Sequence, residues 1–232
     1  MTDPSTTPLI QVDRVERIYS DGNVQALRGV SLHVMEGESV AITGPSGCGK
    51  STLLHILGSL DLPTSGTVAF LGQDLRSINH DNYRARQIGF VFQSFYLLPT
   101  LSALENVQVP MFESDLAVRD RRSLAESLLE EVGMSHRAGQ FPSRLSVGER
   151  QRIAIARALA NSPKALLADE PTGNLDSKTQ SEVLILLDRL RRERGLTLLI
   201  VTHSAEVARA CDRVIKMRDG LILDEPALPN PY

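Results

Sequence analysis

The chain is poor in several things, and each shortage excludes something. Tryptophan is absent from its 232 residues, and phenylalanine and tyrosine number only 6 and 4. The two cysteines, Cys48 and Cys211, cannot form a disulfide framework, which fits a reducing compartment. No apolar run approaches the ~18 residues needed to span a bilayer. The first ten residues carry neither a basic stretch nor an apolar core, so no secretory signal is expected. There is no internal repeat and no low-complexity tract. Neither sign of charge dominates: 25 basic residues face 28 acidic ones, for a net charge of −3. That balance argues against a general nucleic-acid binder. The arginine-rich stretches at 119–122 and 189–194 read as solvated helix faces.

What is present has the composition of an ordinary cytosolic globular protein, 42% hydrophobic and 23% charged. The length suits one large domain, or a core with an inserted subdomain. Alternating patterns predict strands at 9–19 and 30–34, with a turn at 20–23 between them. Short apolar runs predict strands at 39–43, 67–71, 88–92, 165–168 and 197–201. Helical spacing marks 51–60 and 178–194, and 102–160 reads as mostly helical. Residues 1–8 and 224–232 read as mobile or irregular ends. Strands alternating with helices around a helical insert imply an α/β core with a parallel sheet.

Gly44-Pro45-Ser46-Gly47-Cys48-Gly49-Lys50-Ser51-Thr52 carries the chemistry. It fits G-x-x-x-x-G-K-[ST] between a predicted strand and a predicted helix, the setting of a phosphate-binding loop. Glycines let the backbone bend so that several N–H groups point inward, and the helix N-terminus adds partial positive charge. Lys50 would reach the β- and γ-phosphates, and the Ser51 hydroxyl would bind Mg²⁺. Cys48 reads as a small filler, because no base stands beside it. Further on, the strand at 165–168 runs into Asp169 and Glu170. After a phosphate loop, such a pair supports Mg²⁺ through Asp169 and polarises a water for in-line attack through Glu170. ATP hydrolysis is favoured over bare nucleotide binding.

Leu145-Ser146-Val147-Gly148-Glu149-Arg150-Gln151-Arg152, before Asp169-Glu170 and opening a helix expected at 153–159, resembles the signature motif of ATP-binding cassette (ABC) ATPases. Val147 and Glu149 stand where the family commonly has Gly and Gln. A Ser and a glycine backbone at a helix start make a second anion site. The resemblance implies that Ser146, Gly148 and Glu149 complete the nucleotide pocket of an opposite subunit. It implies further roles: Tyr19 as the aromatic that stacks on adenine, Gln93 as a glutamine that touches Mg²⁺ and senses the helical subdomain, Asp176 as an acid at the dimer interface, and His203 as the switch that contacts the γ-phosphate. The implied fold is a P-loop core with a mostly parallel sheet, an N-terminal antiparallel β part and an inserted α-helical subdomain. Its core would cover about 9–93 and 162–223, and its helical subdomain about 94–161.

Within the family, Leu54-His55-Ile56-Leu57-Gly58, Asp61-Leu62-Pro63-Thr64-Ser65-Gly66 and the stretch from Phe92 to Pro99 are similar to the lipoprotein-releasing and macrolide-export branch. So are 103–107 and 170–176. This implies an ATPase, with ATP and Mg²⁺, that pairs with a second copy and drives membrane permease subunits on a separate chain, at the inner face of the cell membrane. A regulator of a cell-envelope or cell-division partner is the alternative. Phe95, Tyr96, Leu97 and Leu98 suit two placements, against a membrane helix of the partner or packed within the helical subdomain. The cargo is not written in these residues.

Overall fold

A computed structural model describes residues 7–20, 24–114 and 116–224. Residues 21–23 of the turn expected at 20–23, and 1–6 and 225–232 of the ends expected at 1–8 and 224–232, lie outside them. The chain runs through β1 (Ile10–Tyr19), β2 (Val24–Val34), β3 (Ser39–Thr43), α1 (Lys50–Leu57), β4 (Ser65–Phe70), β5 (Gln73–Asp74), α2 (His80–Arg86) and β6 (Ile88–Phe92). Then follow α3 (Ala103–Gln108), α4 (Val118–Glu131), α5 (Val147–Ala158), β7 (Ala165–Asp169), α6 (Ser177–Arg194), β8 (Thr197–Thr202), α7 (Ala205–Arg209), β9 (Arg213–Arg218) and β10 (Leu221–Asp224). Two compact units result, one made of 1–80 and 199–232, the other of 81–198.

The first unit holds an antiparallel sheet in the order β2-β1-β4-β5. In β1 the apolar side chains Ile10, Val12 and Val15 are buried while Gln11, Asp13 and Arg14 face water, the period of two that a half-buried strand demands. The register of β1 with β2 shifts three times, first at a bulge between Val12 and Val15. Gly66 of β4 lies against that bulge, where a Cβ would stand 2.3 Å from the Arg14 carbonyl. The unit's other strands set β3 beside β9 in parallel, with β10 antiparallel on the far side of β9. Ser39, Val40, Ala41 and Ile42 of β3 are all buried, as in a central strand.

Helix α1 stops three residues before the expected end. Ser59 turns left-handed at φ 56, and the N–H groups of Leu60 and Asp61 both return to the His55 carbonyl, which caps the helix.

In the second unit β6 and β7 are parallel, with Phe92 opposite Asp169. The stretch expected to be mostly helical is cut into three helices by short 3-10 turns. Pro110 and Pro142 stand in the first turn of two of these, where a missing N–H does least harm. Helix α4 gives way at Gly133, whose φ is 74. Helix α6 buries Val183, Leu186, Leu187 and Leu190, a stripe at i, i+3, i+4 and i+7. The arginine-rich stretches sit on α4 and α6, where Arg122 pairs with Glu126, Arg191 and Arg192 with Asp188, and Arg194 with Glu131. Among the described residues no helix is long and apolar enough to cross a membrane.

Candidate functional site

The sequence-predicted residues fall into two clusters, one in each unit. In the first unit the loop 44–49 joins the buried strand β3 to α1, so a rigid strand delivers the chain and a helix N-terminus receives it. Two glycines here have no substitute. A Cβ on Gly44 (φ 151) would lie 2.1 Å from the Met217 carbonyl oxygen and 2.8 Å from Cys48 Sγ. One on Gly49 (φ 101) would lie 2.4 Å from the Ala26 carbonyl oxygen. Gly49 is also the N-cap of α1, and no side chain caps that end. The first-turn N–H groups of α1 are therefore presented by backbone alone.

Lys50 opens α1 and is 8% exposed. Its Nζ donates to the carbonyls of Gly44 (2.8 Å) and Pro45 (2.9 Å), arching back over the loop. Cys48 is buried with its Sγ 3.9 Å from Lys50 Nζ, and its carbonyl accepts from the Gly220 N–H. The loop borders a cleft of about 690 Å³ that Tyr19, Gly47, Gly49, Lys50, Ser51 and Thr52 line. His203 follows β8, the neighbour of β3, and is exposed on a turn that Thr202 fixes by accepting the Ser204 N–H.

The cleft fits a nucleoside polyphosphate and Mg²⁺. Its floor is a cradle that a Cβ would fill, with one buried ammonium and a hydroxyl. Among the described residues no group of three or more His, Cys, Asp or Glu could hold a metal ion. Mg²⁺ takes few protein ligands and leans on substrate phosphates and water.

The second cluster gathers on the parallel pair β6 and β7. Asp169 ends β7 opposite Phe92, so Gln93 leaves one strand end where Glu170 leaves the other. Glu170 sits at φ 46, an uncommon conformation for a non-glycine residue and one that turns the chain sharply after Asp169. Gln93 and Asn174 meet: Asn174 Nδ2 donates to the Gln93 carbonyl at 3.0 Å, and Gln93 Nε2 lies 3.5 Å from Asn174 Oδ1. Gly173 fits between them, since a Cβ there would come 3.0 Å from Gln93 Nε2 and 3.5 Å from the Glu170 Cβ. Nothing in the sequence pattern around Asn174 points to its partner 81 residues away.

Ser146 caps α5 rather than standing alone before it, and the helix begins at Val147, ahead of the expected 153. Ser146 Oγ accepts from the Glu149 N–H (3.2 Å), while Glu149 Oε2 accepts from the Ser146 N–H (2.8 Å). This reciprocal capping box satisfies two otherwise orphaned donors. Arg137 Nε donates to the other Glu149 oxygen at 2.8 Å. The Ser146 N–H, then Arg137, hold the Glu149 carboxyl below the usual carboxylate range. Gly148 packs on α6, where a Cβ would lie 2.5 Å from Thr179 Cγ2. Asp176 caps α6, accepting the Thr179 N–H (3.0 Å) and the Thr179 hydroxyl (2.7 Å), which lowers its own pKa. Thr179, to which no motif points, thus links Gly148 to Asp176.

Beyond Gln93 the chain makes two consecutive left-handed residues, Phe95 (φ 60) and Tyr96 (φ 46). The Arg157 guanidinium donates to both their carbonyls, and burial pulls its pKa down. Arg150 lies over the Phe95 ring, 5.4 Å from its centre, and Tyr96 meets Phe92 edge-on. Phe95 and Leu97 are half-buried, whereas Tyr96 and Leu98 are exposed.

Residues 27–173 match the ABC transporter family. The lipoprotein-releasing system ATP-binding protein LolD of Geobacter metallireducens is 48% identical over 220 residues, 93% of this chain and 98% of the relative. The macrolide export ATP-binding/permease protein MacB of Rhodopirellula baltica is 48% identical over 94% of this chain, which spans 33% of that relative. Among solved structures, the dimeric post-hydrolysis state of the ATP-binding cassette MJ0796 bound to ADP and Pi superposes with a TM-score of 0.86 at 41% identity, covering 94% of this chain and 97% of that one. The chain therefore belongs to the ABC transporter family, as one of its ATP-hydrolysing cassettes.

Proposed function

We propose that this cassette closes with a second copy around two ATP·Mg²⁺ and drives a membrane permease for release or export of lipoproteins, antibiotics or other amphiphiles. The dimeric MJ0796 structure supports the pairing, and the LolD and MacB relatives support the release or export branch. The MacB relative, an ATP-binding/permease protein, and the LolD relative, the ATP-binding protein of a lipoprotein-releasing system, support a membrane permease as the partner and a place at the inner face of the membrane.

The observation that carries the chemistry is the loop in which Gly44 and Gly49 admit no Cβ and after which no side chain caps the helix start. Residues 44–49 and the N–H groups of 50–52 hold the phosphates, and Lys50 exchanges its two carbonyl partners for phosphate oxygens. When bound, Mg²⁺ would offset charge on the phosphates; in the first unit Ser51 would offer it an oxygen, and in the second unit Gln93 and Asp169 are the residues suited to hold it. Glu170 takes the proton of the attacking water, and the polar link to Gly173 and Asn174 places Gln93 beside it. His203 donates to the γ-phosphate. Ser146 accepts one hydrogen bond as a cap and keeps its own O–H for the γ-phosphate of the opposite subunit, joined by the Gly148 N–H. Glu149 orients Ser146, and Asp176 lies at the interface between copies. Tyr19 stacks on the adenine.

Coupling runs through the segment after Gln93. In the second unit a cavity of about 680 Å³ bordered by Phe90, Phe92, Phe112 and Arg157 provides an apolar seat for a permease helix. Exposed Tyr96 and Leu98 meet the permease, while Phe95 and Leu97 pack within the unit.

The decisive test is Glu170→Gln. Its ATP turnover should fall about 10²–10⁴-fold, the usual value of a general base. The variant should accumulate as an ATP-bound dimer, read by light scattering. Turnover within about threefold of the parent would remove Glu170 from the role of base.

A further inference from the structure

Tyr19 is the last residue of β1, and its hydroxyl donates to Asp61 Oδ2 at 2.8 Å. Arg17 Nε donates to the same oxygen at 2.9 Å, and its second nitrogen meets Asp61 Oδ1 at 2.8 Å. The Arg17 guanidinium carbon also lies 4.5 Å from the centre of the Tyr19 ring. Tyr19 borders the phosphate-loop cleft, whereas Arg17 and Asp61 do not. The ring is therefore backed on one side by a cation and tethered at its tip, with its remaining surface turned to the cleft.

Asp61 is itself fixed from α1. Its N–H and that of Leu60 cap the helix by donating to the His55 carbonyl, and its Oδ1 accepts the Leu62 N–H at 2.8 Å. The following residues are stitched to β1 on either side of Arg17: Thr64 N–H donates to the Glu16 carbonyl (2.8 Å), and the Ile18 N–H donates to Thr64 Oγ1 (3.0 Å). One eight-residue helix thus carries the phosphate loop at its start and, just past its end, the carboxylate that holds Tyr19.

We propose that Asp61, with Arg17, is a positioning residue for the nucleotide base: it locks the Tyr19 ring at a set distance from the phosphate loop, with α1 as the spacer. The inference rests on the reading of Tyr19 as the residue that stacks on adenine. A tyrosine at a strand end has two free torsions, and freezing them beforehand removes an ordering cost that binding would otherwise carry. Phenylalanine would stack as well but would hang loose, which accounts for the hydroxyl.

The test measures binding of ADP·Mg²⁺ and of Mg²⁺-tripolyphosphate, which has no base, by titration calorimetry on the full chain. Tyr19→Ala should weaken ADP about tenfold or more, the usual worth of a stacked base. Tyr19→Phe and Asp61→Ala should each weaken it about three- to tenfold, the share owed to a pre-ordered side chain. The combined Tyr19→Phe/Asp61→Ala chain should bind no more weakly than Asp61→Ala alone, because both act through one link. Tripolyphosphate should bind all variants equally. Parent-like ADP binding by Tyr19→Phe and Asp61→Ala, with Tyr19→Ala weakened, overturns the inference and leaves the stacking reading standing. Parent-like binding by Tyr19→Ala overturns the stacking reading and the inference with it. Equal loss of tripolyphosphate and ADP in Asp61→Ala also overturns the inference, making Asp61 a support of the loop alone. Tyr19→Phe keeps every bond between Asp61 and Arg17, so the answer survives if Asp61→Ala folds poorly.

Discussion

The starts of α1 and α5 are both candidate anion sites, and they are built in opposite ways. At α1 the N-cap is a left-handed glycine, no side chain caps the helix, and the glycines at both ends of the preceding loop, Gly44 and Gly49, lie too close to neighbouring backbone for a Cβ. At α5 a serine and a glutamate cap each other, an arginine holds the glutamate, and the glycine leans on a threonine methyl. The first is a socket whose shape is set by backbone. The second is a helix end that its own side chains complete. A socket that must surround phosphate needs the former.

Substitutions at the paired glycines should separate the two most widely. Gly49→Ala should be the most damaging, since the left-handed conformation alone costs about 1–3 kcal/mol and the Ala26 carbonyl has no room to retreat. Urea unfolding should show that loss, and ADP binding should disappear with it. Gly148→Ala meets a side chain instead, and overpacking of this kind costs about 1–3 kcal/mol. Thr179→Ser, which removes the offending methyl and keeps the hydroxyl on Asp176, should return most of it. Failure of that rescue would mean that the two helix starts are equally rigid.

The smallest effect expected is one of pH. Because the Glu149 carboxyl is held below its ordinary range, its contribution is fully present above the usual carboxylate pKa and is lost as pH falls through the lowered value. Glu149→Gln should cost about 0.5–1 kcal/mol at pH 7. The gap to the parent in urea titrations should close on acidification toward pH 3. A gap independent of pH would show that shape, not charge, makes the cap.

Much of this was legible because local chemistry dictated it. The glycine spacing at 44–49 announced a backbone socket before any neighbour was known, and Ser146 with Glu149 three residues on is a helix-start pattern that could have moved the expected start of α5 from 153 to 147. The strand β9 was missed although Ile215 and Met217 alternate with exposed Val214 and Lys216, because six residues between charged neighbours look like a turn. The early stop of α1 was hidden for a different reason: Ser59 adopts a conformation that its side chain does not advertise. Least legible were the long-range polar links, Gln93 to Asn174 and Tyr19 to Asp61. In each, both partners stood in plain view within motifs, but only the fold says which polar groups meet.

The arginine that grips the carbonyls of Phe95 and Tyr96 has a bearing on how the segment after Gln93 can change over time. Tyr96 is 64% exposed, and apart from its edge-on contact with Phe92 its side chain is turned to solvent. The backbone is held, because both carbonyls answer to one planar, forked group 61 and 62 positions away along the chain. Side chains on this segment can therefore drift to suit a new neighbour while the path of the chain stays put. Residue insertions or deletions here would break the grip, whereas a change from tyrosine to almost any other side chain tolerant of the left-handed turn would leave it whole. The segment is a mount with exchangeable fittings.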